Sequence, residues 1–319
     1  MTTLPPAATA SAAACLAPFF NVPPAQQAML DDVGRRWADD VPAHIERVID
    51  AYTALLRAGA AGDDDLVVER ELAYGPHARH RLDVYRQAHA RGADMLVFVH
   101  GGAFVRGDKA VNDVLYANVC RWFARQGVVA VNVEYRLAGD APFPGGAEDV
   151  GAATRYLSGV AAALGADPSR LFLMGHSAGG THVAGYCGDP LLARAYARAP
   201  VAGAILVSAR LRADVRPGNP NAAAVRSYFG PDAHVHEAHS PVTHAAAFRT
   251  TAMVAVAEYE NPYLDAYGAQ MMAGLLDAPV RRPHRFVQML RHNHLSIVAH
   301  FGTGEERLGR EILDFMRRT

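Results

Sequence analysis

The chain has 319 residues, half of them hydrophobic and a fifth charged, with a formal net charge of -1, an ordinary composition for one large globular domain or two small ones. Near-neutral charge gives no electrostatic grip on nucleic acid or an anionic membrane surface, and no window approaches the ~18 unbroken apolar residues of a membrane-spanning helix. Three widely spaced cysteines, Cys15, Cys120 and Cys187, form neither a disulfide framework nor a C-x-x-C metal motif, which leaves small molecules as the expected partners.

The Ala-rich start, MTTLPPAATASAAACLAPFF, has no Lys or Arg before its apolar run, and Pro5 and Pro6 interrupt it. That is a poor secretory leader, so a cytoplasmic location is expected. From Gln26 to Ala58 the apolar residues Met29, Val33, Trp37, Val41, Ile45 and Ile49 recur every four positions, which predicts helix. Leu66–Leu72 and Arg81–Tyr85 then read as two strands around a turn at Gly75-Pro76.

Beyond them, apolar runs alternate with helical segments. Strands are predicted at Met95–Val99, Val128–Val133, Arg170–Met174 and Ala204–Val207, with helices at Val111–Gln126, Gly146–Leu164 and Ala178–Cys187. Strands apolar throughout and separated by helices indicate a mostly parallel sheet covered on both faces, an α/β fold. Between Arg210 and Phe248 the rhythm gives way to a segment rich in Pro, Gly, Asn and His, and a loop of this length in a compact domain is usually functional. The alternation resumes with Ala252–Ala257, a helix over Tyr263–Leu276, the strand Arg285–Leu290 and a helix over Glu305–Arg317. The expectation is one domain over 1–319, with residues 1–65 and the 210–248 insertion forming a cap.

Two motifs at strand ends carry the chemistry. Gly175-His176-Ser177-Ala178-Gly179 lies between an apolar strand and an Ala-rich helix, the context of a nucleophile elbow. The turn is so sharp that side chains two positions either side of the serine would collide. Its bland alternative is a serine capping an ordinary helix. His100-Gly101-Gly102-Ala103 follows the strand Met95–Val99, and its small residues would let backbone N–H groups face a developing oxyanion. Donors from Gly102 and Ala103, with Gly101 shaping the turn and Ala178 adding its own N–H, would form an oxyanion hole. Otherwise the glycines only shape a tight turn.

A serine nucleophile needs a base, and the base needs an orienting acid, in the chain order Ser, acid, His. The loop after the last strand holds His292 and His294. His294 is preferred because it directly precedes the apolar turn Leu295, Ile297, Val298. Three carboxylates follow the preceding strand. Asp265 lies past Pro262, where a first-turn acid complements a helix dipole. Glu258 adjoins the strand, and Glu260 stands on the loop before Asn261-Pro262. Glu260 is the expected acid. His234, His236, His239 and His244 cluster in the insertion without a neighbouring thiolate, so they are read as cap histidines rather than a metal site. Arg136 and Asp149 are read as holding loops below the site.

These residues resemble the hormone-sensitive-lipase-like branch of the α/β-hydrolases, bacterial carboxylesterases with a two-part helical cap. The likeness runs from about residue 66 to the C-terminus. It rests on His100-Gly101-Gly102-Ala103, Glu134-Tyr135-Arg136-Leu137 with Pro142-Phe143-Pro144 and Asp149, Gly175–Gly180, Ser240-Pro241 and Glu258–Pro262. Ala103 stands where the family has a third glycine, and Glu260-Asn261-Pro262 where it usually reads Asp-Pro-Leu. The resemblance implies Ser177 as nucleophile, an oxyanion role for 101–103 and Ala178, and no metal or organic cofactor. The implied substrate is a small-molecule ester, with no nucleic acid or membrane partner and a homo-oligomer left open. Asn293-His294-Leu295-Ser296 also looks like arylformamidase relatives, which makes a formamide substrate the runner-up. A non-catalytic ligand receptor on this scaffold is the reading from a different class. Such receptors often lack a triad member, whereas here a candidate stands at each position.

Overall fold

The structure, a computed structural model, describes residues 24–59, 65–190, 192 and 199–319. The leader-like start and Cys15 fall outside the described residues. The helical stripe of the N-terminal region divides into α1 (Pro24–Arg35) and α2 (Val41–Gly59). The break has a local cause: Asp40 Oδ1 accepts the Ala43 N–H at 3.1 Å and starts a new helix, with Pro42 tolerated in its first turn. Trp37, in the intervening turn and 2% exposed, donates its indole N–H to Asn261 Oδ1 at 2.9 Å.

One eight-stranded sheet forms the centre. Its strands are β1 (Val67–Ala73), β2 (Arg81–Arg86), β3 (Ala93–Val99), β4 (Val129–Val133), β5 (Ala166–His176), β6 (Gly203–Val207), β7 (Thr251–Tyr259) and β8 (Arg285–Asn293). They lie in the order β1-β2-β4-β3-β5-β6-β7-β8, with β2 antiparallel to β1 and β4 and every pair from β4 through β8 parallel. The expected mostly parallel sheet is present. Alternate residues of each strand enter opposite cores. Phe98, Phe172, Met174, Ile205 and Met253 face one, while Val97, Val99, Leu173, Leu206 and Val254 face the other. Burial on both faces is why these strands read as continuous apolar runs instead of alternating ones.

The first core is covered by α1, α2, α3 (Ala117–Arg125), α9 (Ser296–Ala299) and α10 (Arg307–Arg318). The second is covered by α4 (Gly145–Val160), α5 (Ala178–Gly188) and α8 (Leu264–Leu276). Helix α3 starts six residues later than its apolar pattern predicts. Asn112 Oδ1 accepts the N–H groups of Val114 and Leu115 at 3.0 and 2.9 Å, and that side-chain turn competes with helix. The insertion is less loop-like than its composition suggests: it holds α6 (Ala222–Phe229), α7 (Ala233–Ala238) and a 3₁₀ segment, Pro241–Ala247. Val225, Tyr228 and Phe229 pack with Phe104 and Ala178, so this segment lies over the two motif loops, whereas α1 and α2 join the first core. Among the described residues no helix is long and apolar enough to cross a membrane. Cys120 and Cys187 are both buried.

Three buried histidines are kept neutral by the cost of burying their charge, which for His300 outweighs the nearby Glu305. Burial pushes His176 and His182 down to about 3 and His300 down to about 4. Their folded pKa values lie below the unfolded value of about 6.5, so between those limits the unfolded chain binds protons that the folded one refuses. Stability is therefore fully present above pH 6.5 and falls as pH drops through the window below it. The slope is up to about 1.4 kcal/mol per pH unit for each histidine. The urea midpoint is expected to fall clearly between pH 7 and pH 5; a flat midpoint over that range would contradict their burial as neutral rings.

Candidate active site

The C-terminal ends of β3, β5, β6, β7 and β8 converge on Ser177. The residue sits between β5 and α5 with φ 54° and ψ -118°, a backbone conformation that costs free energy for a side-chain-bearing residue and persists only if its surroundings enforce it. Neighbouring chain supplies that enforcement. The Ser177 N–H donates to Val207 O at 3.0 Å, and its carbonyl accepts the N–H groups of Gly180 and Arg210, both at 3.1 Å. A methyl group at Gly179 would overlap the Val99 carbonyl, and one at Gly175 would lie 2.5 Å from Gly179 O, so the elbow requires both glycines.

His294 Nε2 lies 3.0 Å from Ser177 Oγ, and its Nδ1 lies 2.8 Å from Glu260 Oε2. The carboxylate can only accept, so Nδ1 carries the proton and Nε2 accepts from the serine hydroxyl. The other carboxylate oxygen, Oε1, accepts the Ala257 N–H at 2.9 Å and the Ser208 hydroxyl. Backbone contacts fix the imidazole as well: the His294 N–H donates to Tyr259 O at 3.1 Å, and its carbonyl accepts His176 Nε2–H at 2.9 Å. Because His176 is neutral, its Nδ1 is free to accept the Tyr116 hydroxyl at 3.4 Å, a weak contact that ties the β8 loop to the residues behind the elbow.

The structure brings together Ser177, His294 and Glu260 and separates the alternatives. Asp265 is exposed in the first turn of α8. Glu258 is exposed too, and its Oε2 accepts the Arg291 N–H at 2.5 Å. His292 belongs to the end of β8, which runs three residues past its apolar pattern, and is 2% exposed. It donates Nε2–H to Glu305 Oε1 at 2.9 Å and accepts the Ser296 hydroxyl at Nδ1 at 3.0 Å, so it braces the loop that carries His294.

On the other side of Ser177 runs the 100–103 loop. Gly102, Ala103 and Phe104 have φ of 143°, 50° and 72°, three successive residues at positive φ that end the strand in a sharp turn. The Gly101 N–H is directed at the Tyr116 phenol oxygen, in keeping with a turn-shaping part for Gly101. Ala178 opens α5, so its N–H has no acceptor within the helix. The loop is anchored by His100, buried and stacked on Tyr135 at 4.4 Å between ring centroids, which donates Nε2–H to Glu134 Oε1 at 3.0 Å. Such an arrangement can hold a hydroxyl against a base on one side and stabilise a developing oxyanion on the other.

Other singled-out residues take structural places. Arg136 Nε binds Asp149 at 2.9 Å, and Asp149 also contacts His80 at 3.1 Å, a buried knot beneath the loops. His236, His239 and His244 turn to Gly230 O, Asp189 and Ala238 O respectively, and among the described residues no group of three or more His, Cys, Asp or Glu could hold a metal ion. Ser208, Tyr116 and His176 went unremarked as contributors to the site. Ser208 had one usable signal, its place directly after the apolar strand β6. Nothing local in the sequence points to the other two.

A family model described as BD-FAE matches residues 82–189, the stretch from β2 through α5 that holds both motifs. Esterase LipI of Mycobacterium tuberculosis is 40% identical over 90 residues, 28% of this chain, which spans 27% of the length of that curated relative. Solved structures align over far more. A hyperthermophilic esterase of the archaeon Pyrobaculum calidifontis has a TM-score of 0.69 at 23% identity, covering 93% of this chain and 98% of that one. A bacterial heroin esterase has a TM-score of 0.66 at 26% identity, covering 88% and 92%. The chain has the α/β-hydrolase fold. Its likeness is to the hormone-sensitive-lipase-like type, and the relative and the two structures named above are esterases.

Proposed function

We propose that the chain is a serine hydrolase that cleaves carboxylic esters of small molecules through an acyl-enzyme intermediate, working in the cytoplasm. The observation that carries this reading is the unbroken line from Glu260 Oε2 through His294 to Ser177 Oγ, with links of 2.8 and 3.0 Å, beside two strand-end loops that offer amides. His294 takes the hydroxyl proton as Ser177 Oγ attacks the ester carbonyl, and Glu260 stabilises the imidazolium. The N–H groups of Gly102, Ala103 and Ala178 receive the oxyanion. His294 returns the proton to the leaving alcohol, then activates a water that releases the acid.

Sequence relatives named as esterases support the ester class, with the short alignments noted above. The decisive experiment is labelling with a fluorophosphonate followed by peptide mapping, alongside hydrolysis of p-nitrophenyl butyrate. A single adduct on Ser177 and loss of hydrolysis in proportion to labelling are expected. Hydrolysis that survives full labelling, or an adduct elsewhere, would overturn the assignment.

A further inference from the structure

Arg210 is 3% exposed, yet among the described residues its guanidinium makes no hydrogen bond and no ion pair, and Nη1 is enclosed without a partner. Arginine keeps its charge in proteins, so burial does not neutralise this group, although it does pull the pKa downward. A buried cation with unserved donors is strongly unfavourable in isolation, and buried charges are as a rule paired, so an anionic group on a ligand would relieve it.

The main chain of Arg210 is tied to the elbow. The Arg210 N–H donates to the Ser177 carbonyl at 3.1 Å, and the Thr181 hydroxyl donates to the Arg210 carbonyl at 2.6 Å. The guanidinium lies in the fields of Asp214, Tyr267 and Glu260. Neither carboxylate serves it, since each is already engaged. Asp214 accepts the Tyr267 hydroxyl at 2.8 Å, the Arg216 N–H at 2.9 Å and Arg216 Nε at 3.1 Å. Glu260 accepts from His294, Ala257 and Ser208. Among the described residues no acceptor serves the Arg210 guanidinium, and its Nη1 is fully enclosed.

We propose that Arg210 is the specificity-determining group of this site and that the preferred substrate is an ester carrying a free carboxylate, bound on its unpartnered guanidinium. The planar fork of arginine matches a carboxylate bidentately, and the low-dielectric surroundings strengthen that pairing. A wholly apolar substrate would leave the cation as it stands. The proposal rests on Ser177 being the acyl-transfer nucleophile.

The test measures kcat/KM for two pairs: mono-p-nitrophenyl glutarate against p-nitrophenyl pentanoate, and butyryl glycolate against ethyl butyrate. One pair is expected to favour the anionic member by about 10- to 100-fold, the range of a charge-assisted hydrogen bond. Arg210→Met should collapse that ratio towards one, and Arg210→Lys, which keeps the charge but loses the fork, should retain part of it. Wild-type protein that hydrolyses the neutral esters and favours neither anion would overturn the role of Arg210 while leaving the hydrolase reading intact. An Arg210→Met change that lowers both members of a pair equally would make the residue structural and overturn the proposal. Absence of turnover on all four esters would instead sink the hydrolase reading, and this proposal with it. If Arg210→Met does not fold, the wild-type ratios and the lysine variant still decide.

Discussion

Ser177→Ala is expected to lower kcat for p-nitrophenyl butyrate by roughly 10⁴- to 10⁶-fold, the scale on which removing a serine nucleophile acts when its partners remain. The substitution deletes one atom, Oγ, and with it the 3.0 Å contact to His294 Nε2. It leaves the Cβ in place, so the cost of holding φ at 54° is nearly unchanged, and the backbone bonds to Val207, Gly180 and Arg210 do not involve the side chain. The variant should therefore fold with an unchanged circular dichroism spectrum and a melting temperature within a few degrees of wild type, a small effect at a half-buried position. Rate loss without fold loss is the signature to look for. An alanine variant that keeps more than about a tenth of wild-type kcat would remove Ser177 from the chemistry, because the amides alone supply only a residual enhancement.

The parts of this site that were readable in the sequence are those whose geometry is local. Gly175 and Gly179 flank Ser177 because the elbow brings Val99 and Gly179 backbone too close for a side chain, and a steric demand over five residues leaves a five-residue mark. Strand positions were equally plain, since burial on both faces permits only apolar residues. His294 and Glu260 could be narrowed to two and three candidates by strand order, and choosing among them needed the fold. The β8 ladder carries His292 into the interior, where Glu305 takes it, and only the next loop residue faces Ser177.

What stayed hidden depends on partners far away in the chain. The break between α1 and α2 did have a local mark, Asp40 two residues ahead of Pro42, but the four-residue apolar spacing masked it. Its purpose is tertiary. Trp37 turns out of the helix to hold Asn261, the residue inserted after the acid where the resembled family reads Asp-Pro-Leu. The extra residue and the longer Glu260 side chain thus go with an N-terminal segment that pins the acid loop from outside. Ser208 is marked only by its place at the end of β6, and its hydroxyl matters because β6 and β7 run side by side and bring Glu260 to it.

Glu260→Gln is expected to lower kcat by about 10³- to 10⁴-fold near neutral pH, the scale seen when an orienting carboxylate becomes an amide. The carboxylate does two things through Oε2. It accepts Nδ1–H of His294 at 2.8 Å, which leaves Nε2 free to take the Ser177 proton, and it offsets the charge that the imidazole gains. A glutamine can place its NH₂ against Nδ1, which favours the other tautomer and puts the proton on Nε2, where it blocks the serine. Its oxygen would still accept from Ala257 and Ser208 at the Oε1 position, so the loop should keep its shape. KM is expected to move far less than kcat, because the carboxylate does not touch substrate. Asp265→Asn provides the comparison at an exposed helix-start position, where losing a charge costs a few tenths of a kcal/mol in stability and little rate. If Asp265→Asn collapses turnover while Glu260→Gln leaves it within tenfold of wild type, the acid has been misplaced and the 2.8 Å contact is only structural. The opposite pattern, with turnover collapsing in Glu260→Gln and nearly unchanged in Asp265→Asn, would fix Glu260 as the residue that sets the tautomer of His294.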